Sequence, residues 1–286
     1  MIFRSRWLSG IALLFCLYTT AASSSPTSPL LRTTCLGTQY HVRPAWDQDI
    51  ERLVTSLRNQ IKDARQSQKR IVYISLPLGA RNGGARAFNE FLGREMKQAL
   101  LHRYPNSRLE IILPGQYETE LRSVNGESPS GGEYLYMWTQ VLMGEDCQGA
   151  IDWIYFMDHR DVASLLNLSD NNPRESLSQH LDKQASKFPS LYRDVAWQEE
   201  SREAFLDYYL NHYSPYNSKG VRDEWNMVQW VTGCFPNKAR IRQHIDGRWT
   251  HKTQPLLECG YQLHAGHCKT HLPTVSADYD QHELPY

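Results

Sequence analysis

The sequence predicts an α/β protein: a mostly parallel central sheet flanked by helices, with a disulfide-stabilised irregular C-terminal extension. Three observations predict it. Arg70 to Gly79 is an apolar and aromatic run, rich in β-branched residues and closed by Pro77 and Gly79, the pattern of a strand buried on both faces. A glycine-bearing turn, a helical stripe and a second strand at Arg108 to Leu113 follow; strand, helix, strand at that spacing is a right-handed βαβ crossover. A third strand lies at Gly149 to Met157.

Residues 1–22 have the layout of a signal peptide: Arg4 and Arg6, an apolar stretch from Trp7 to Tyr18, then Ala21 and Ala22 for cleavage. The stretch is too short to span a bilayer, which needs about 20 apolar residues; a retained anchor is the alternative. Cys16 lacks the small residues that precede a lipid-attachment site. The mature chain is therefore expected to be secreted or periplasmic, with no membrane attachment after cleavage. Residues 23–45 read as a flexible lead-in, because Ser23 to Arg32 is rich in Ser, Thr and Pro.

Residues 46–235 read as the α/β domain. Trp46 to Lys69 places Ile50, Leu53, Leu57 and Ile61 at helical spacing. The strand Ile71 to Leu78 leads into a Gly-rich turn at Ala80 to Gly84. Ala85 to Arg103 then carries Phe88, Phe91, Leu92, Met96, Leu100 and Leu101 on one stripe until Tyr104-Pro105-Asn106-Ser107 stops it. Pro114-Gly115 ends the second strand. Glu118 to Gly132 reads as a mobile polar loop, Glu133 to Met143 as a helix, and Asp161 as the cap of a short helix from Val162 to Leu168. Asn171 to Pro189 is charged and weakly periodic. Asp194 to Tyr213 reads as a helix, Ser214 to Gly220 as a loop, Asp223 to Val231 as a helix and Thr232 to Phe235 as strand-like. Residues 236–286 read as a Cys- and His-rich extension. With strands alternating with helices, the whole is flavodoxin-like or Rossmann-like in outline.

Basic and acidic residues balance at 31 each, and losing Arg4 and Arg6 tips the mature chain slightly acidic. That gives no electrostatic case for nucleic acid. In an exported chain Cys35, Cys147, Cys234, Cys259 and Cys268 are disulfide candidates. Their number is odd, so one is free or pairs between chains. Cys259 with Cys268 makes a plausible local bridge, and Cys35 with Cys234 a plausible staple.

Ligands of open α/β sheets bind beyond the carboxyl ends of the strands. Three stretches with chemistry in them stand out. Leu78 to Gly84 offers Arg81, Asn82 and Gly83 at a helix start, suited to an anion, though Gly79-x3-Gly83-Gly84 is neither a Walker loop nor the dinucleotide fingerprint; a plain crossover turn is the alternative. Asp158-His159-Arg160-Asp161 gathers ionisable groups at a strand end, against which stands ordinary capping by Asp161. Ser218 to Asn226 holds Glu224 beside Trp225 at a helix start, where a carboxylate can be poised as a nucleophile; ordinary helix capping is the alternative. His264, His267, Cys268 and His271 read as a surface tail rather than a metal site, no cofactor is called for, and no Gly-x-Ser-x-Gly elbow exists.

The order of strand, small-residue turn, long helix, strand, helix, third strand ending in Asp, then Gly220-x3-Glu224 resembles the nucleoside 2-deoxyribosyltransferase-like fold, and more loosely the TIR-type NAD-cleaving domains. The resemblance implies Glu224 as nucleophile and Asp158 as the acid that orients sugar or base, with Glu133, after Gly131-Gly132, a rival for the first role. Apart from the resemblance, the three stretches make Arg81, Asn82, Gly83, His159, Arg160 and Trp225 the candidates for substrate binding. The chain departs from the family's Asp-x-Gly-Thr-x-x-Glu pattern: the Asp and Thr are missing, and Asp161 to Tyr213 is an insertion. The expected function is cleavage or transfer at an N-glycosidic bond of a nucleoside or nucleotide, NAD included. The alternative is a non-catalytic secreted module that binds a protein or glycan.

Overall fold

A computed structural model describes residues 28–79, 83–118, 120–121, 127–189, 199–235 and 241–263. A hairpin comes first: β1 (Leu30–Thr33) pairs antiparallel with β2 (Gln39–Val42). α1 (Pro44–Gln66) opens with Pro at its first position and buries Trp46, Ile50, Leu53, Val54, Leu57 and Ile61 as one stripe, each worth about 1.5–3 kcal/mol of burial. The central elements follow as β3 (Arg70–Ser75), α2 (Arg86–Arg103), β4 (Leu109–Ile112), α3 (Pro114–Glu118), α4 (Gly131–Met143) and β5 (Trp153–Phe156). Then come α5 (His159–Leu165), α6 (Pro173–Ala185), α7 (Glu199–Asp207), a π-helical turn Tyr208–His212, α8 (Lys219–Cys234), β6 (Arg242–Ile245) and β7 (Arg248–Thr250).

The five-stranded sheet runs β4-β3-β5-β6-β7. β4, β3, β5 and β6 are parallel and β7 closes the edge antiparallel. Side chains alternate across it. Ile71, Tyr73, Ile154 and Phe156 face α1, α4 and α8 in one core. Val72, Ile74, Trp153 and Tyr155 face a second core built from α2, α6, α7 and the π-helical turn. The α/β class and the mostly parallel sheet are therefore as the sequence implies.

Five expectations change. Residues 236–286 were expected to lie outside the domain, yet β6 and β7 complete the sheet, because Arg242 takes up the ladder from Asp152 with an N–H to carbonyl bond of 2.9 Å. Part of 23–45 is the β1–β2 hairpin. Thr232 to Phe235 is not a strand but the end of α8: Thr232 Oγ1 bonds the Val228 carbonyl at 2.8 Å and the Phe235 N–H bonds the Val231 carbonyl. Cys35 pairs with Cys147, Cα atoms 5.9 Å apart, so the Cys35–Cys234 staple is not formed. Cys259 is free and Cys234 is disulfide-bonded, so no Cys259–Cys268 bridge exists. Residues 1–22 and Cys268 lie outside the described residues.

Candidate functional site

Tyr73 and Ser75 sit two apart on β3 and so point to one face, toward α8. There they meet Glu224. The Tyr73 hydroxyl donates to Oε1 at 2.6 Å and the Ser75 hydroxyl to Oε2 at 2.5 Å. Glu224 is only 5 % exposed. Burial pushes its carboxyl up to about 7; the two hydroxyls oppose that shift, and Glu118 and Asp223 add to it. The Tyr73 hydroxyl is raised well above its ordinary range, by burial first and by the facing Glu224 next, so it stays protonated and donates. Its ring lies edge-on against Trp138 at 5.3 Å. Glu118, whose pKa burial also raises, is held by Arg86 at 3.2 Å.

Ser218 is the N-cap of α8, accepting from the Val221 N–H at 3.5 Å. The helix thus starts at Lys219 rather than Asp223. Glu224 falls in the second turn, beyond the reach of the terminal dipole, and is set by β3 instead. Its neighbour Asp223 accepts the backbone N–H groups of Gly260, Tyr261 and Gln262 at 2.7, 2.6 and 3.2 Å, pinning the chain after β7 onto α8.

Beyond the carboxyl ends of β5 and β6 opens a cleft of about 300 Å³, lined among others by Asp158, His159, Ser214, Tyr216, Asn217 and Asp246. Asp158, not Asp161, caps α5. Its carboxylate accepts the Arg160 N–H at 2.8 Å, while Asp161, three residues on, accepts the Asp158 N–H at 2.9 Å in a capping box. The Arg160 guanidinium donates to Asp158 at 2.5 and 3.1 Å and to Asp246 at 2.7 Å. Burial alone would raise the Asp158 carboxyl, but Arg160 brings it below the usual range. Asp161 takes the opposite path: burial pushes it up to about 6 although the Tyr155 hydroxyl donates to it at 2.6 Å. The Ser214 hydroxyl on the cleft wall is buried with no hydrogen-bond partner among the described residues.

The two carboxylates Glu224 and Asp158 stand at neighbouring strand ends. Ser75 holds Glu224, the Ser75 carbonyl accepts the Met157 N–H at 3.0 Å, and Asp158 is the next residue. Asp158 and His159 line the cleft; Glu224 does not. Trp225 was expected to bind substrate, but it is buried between Phe156 and Tyr216, with its Nε1 donating to the Pro255 carbonyl at 2.9 Å. Tyr216, 45 % exposed, presents the aromatic face instead. Glu133 is committed elsewhere, as the third residue of a capping box with Ser130 and in an ion pair with Arg43 at 2.8 Å. Arg81 and Asn82 lie outside the described residues. Gly83 has φ +94° and a Cβ there would sit 2.1 Å from the Ala204 carbonyl oxygen; the Ala85 N–H already bonds the Tyr209 hydroxyl at 3.1 Å. α7 therefore roofs the described part of the turn that an anion was expected to occupy.

Tyr73 and Ser75 were legible as a same-face pair at a strand end, next to the turn already singled out. Ser214, Tyr216 and Asp246 carry no such signal, because they reach the cleft only through the fold. His264, His267 and His271 lie outside the described residues, and among the described residues no group of three His, Cys, Asp or Glu side chains is placed to hold a metal ion. The Cys35–Cys147 disulfide points to an oxidising, non-cytoplasmic location. No helix among the described residues is long and apolar enough to cross a membrane. No family model, curated protein or solved structure matches the chain.

Proposed function

We propose that this is an exported enzyme that cleaves or transfers at the N-glycosidic bond of a nucleoside or nucleotide, NAD being one such substrate. The observation that carries this reading is the Glu224 carboxyl, clasped by Tyr73 and Ser75 at the end of β3 and titrating near neutrality. A carboxyl with that pKa is matched to its task at physiological pH. The ionised Glu224 attacks the anomeric carbon as the C–N bond breaks, its electron pair leaving with the base. Water or an acceptor hydroxyl then displaces the carboxylate from the same carbon. Asp158, fixed by Arg160, orients the sugar hydroxyls, and Tyr216 covers the base.

A second reading, a non-catalytic module binding a small molecule or partner in the cleft, is favoured by the burial of Glu224 and its absence from the cleft lining. Incubation with NAD and with nucleosides separates the two. The enzyme reading expects base release by the wild type and a loss of at least about a thousandfold in Glu224→Gln. Equal turnover in both removes Glu224 from the mechanism. Binding without turnover, lost in Asp158→Asn, leaves the module.

A further inference from the structure

The opposite, amino-terminal edge of the sheet carries a feature that the cleft does not use. Arg70 opens β3, Trp153 opens β5 and Arg242 opens β6, and the register puts all three on one face: Val72 pairs with Trp153, and Trp153 with Arg242. The Arg70 guanidinium lies 5.2 Å from the Trp153 ring centre, and Arg242 lies 5.6 Å from Trp153 and 5.1 Å from Trp249. Tyr104 closes the stack, edge-on to Trp153 at 5.3 Å and accepting the Trp249 Nε1–H at 3.1 Å, with Arg103 5.8 Å above it. The result is a ladder of alternating guanidinium and aromatic groups. Beside it lies an open hollow of about 400 Å³ lined by Arg65, Gln68, Lys69, Arg70, Asp152 and Trp153.

The carboxylates nearby are already used. Asp152 accepts the Ile71 N–H at 2.7 Å and faces Arg65 at 3.8 Å, and Glu110 holds Lys69 at 2.7 Å. Arg70, Arg103 and Arg242 have no carboxylate partner among the described residues. Arg65 and Arg103 fall in the last turns of α1 and α2, where the helix dipole favours a cation. That explanation does not extend to Arg70 and Arg242, which lie on strands. A guanidinium stacked on an indole keeps its N–H edge free and already ordered for an oxyanion.

We propose that this edge binds a sulfated polysaccharide, its sulfate groups taken by the outward edges of Arg70 and Arg242 and by the cations of the hollow. A single-stranded nucleic acid needs open aromatic faces for its bases, whereas the buried Trp153 ring is closed in by Arg70, Arg242, Tyr104 and Trp249. The disulfide points to an oxidising, non-cytoplasmic location, compatible with a glycan partner outside the cell.

Calorimetry of the full chain with a short heparin-type oligosaccharide tests this. Binding is expected to weaken with salt, releasing about two to four ions. The double variant Arg70→Gln with Arg242→Gln should lose at least about tenfold in affinity. Arg70 is exposed, so Arg70→Gln alone spares the fold; it should lose about threefold and lower the salt slope by about one. Absence of binding, equal binding of the desulfated oligosaccharide, or wild-type affinity in Arg70→Gln would overturn the proposal. So would single-stranded RNA or duplex DNA binding as tightly as the sulfated chain.

Discussion

Glu224 is the residue at which the proposed chemistry and the stability of the fold meet. Its folded-state pKa of about 7 lies above the unfolded value of 4.5. Between those values the folded chain holds the proton more tightly, so this group's contribution is full below about 4.5 and is lost as pH rises to about 7. The loss amounts to about 3 kcal/mol. Glu224→Gln keeps a neutral side chain of the same shape for Tyr73 and Ser75 to bond. Urea unfolding at pH 5 and pH 7.5 should therefore show a steep decline in the wild type and a shallower one in the variant. Asp161 and Asp223, each raised to about 6 mainly by burial, supply the slope that remains. If Glu224 is the nucleophile, kcat/KM rises with pH through about 7, because only the ionised form attacks; a flat profile there would assign the chemistry to another group.

At the scale of elements, α7 and the turn after β3 fit each other closely. Gly83 combines a positive φ with a backbone carbonyl where a Cβ would go, so neither strain nor clash can relax independently. Gly83→Ala should cost about 2 kcal/mol or more, read as a lower urea midpoint with an unchanged slope. α6 and α7 are joined by ion pairs of Arg202 with Asp182 and of Arg174 with Glu203, and Tyr209 reaches back to Asn89 of α2 at 2.6 Å. The stretch between α5 and α8 is thereby part of the second core. The start of α8 shows why the helix-start expectation for Glu224 failed. Asp223 and Glu224 read as first-turn carboxylates of a helix beginning at Asp223. Ser218 caps it five residues earlier, and both carboxylates serve tertiary contacts.

For the whole molecule, the Cys35–Cys147 bridge closes a loop with a sequence separation of 112. It ties the first hairpin to the end of α4. Opening so long a loop costs about 4–5 kcal/mol by chain entropy. Cys147→Ser should accordingly lower the melting temperature markedly, and a reductant should lower that of the wild type at least as far, since it also opens the disulfide at Cys234.

The strands were legible because a stretch buried on both faces must be apolar throughout. β3 and β5 announce themselves in that way, and the helices by their 3.6-residue stripes. β6, Arg-Gln-His-Ile, has no such signature. Gln243 is buried only because Gln229 on α8 meets it with a hydrogen bond of 2.6 Å, a partner that local sequence cannot reveal. The same holds for the candidate site. The residue types of Asp158 and Glu224 marked them as chemically able, and a strand end marked the place. Which hydroxyls hold Glu224, that Trp225 is sealed in the core, and that Tyr216 and Ser214 form the cleft wall depend on groups far apart in the chain brought together by packing. Local periodicity determined the class of the fold, since it records burial one residue at a time. Tertiary structure alone decided partners, because a hydrogen bond between distant residues leaves no period in the sequence.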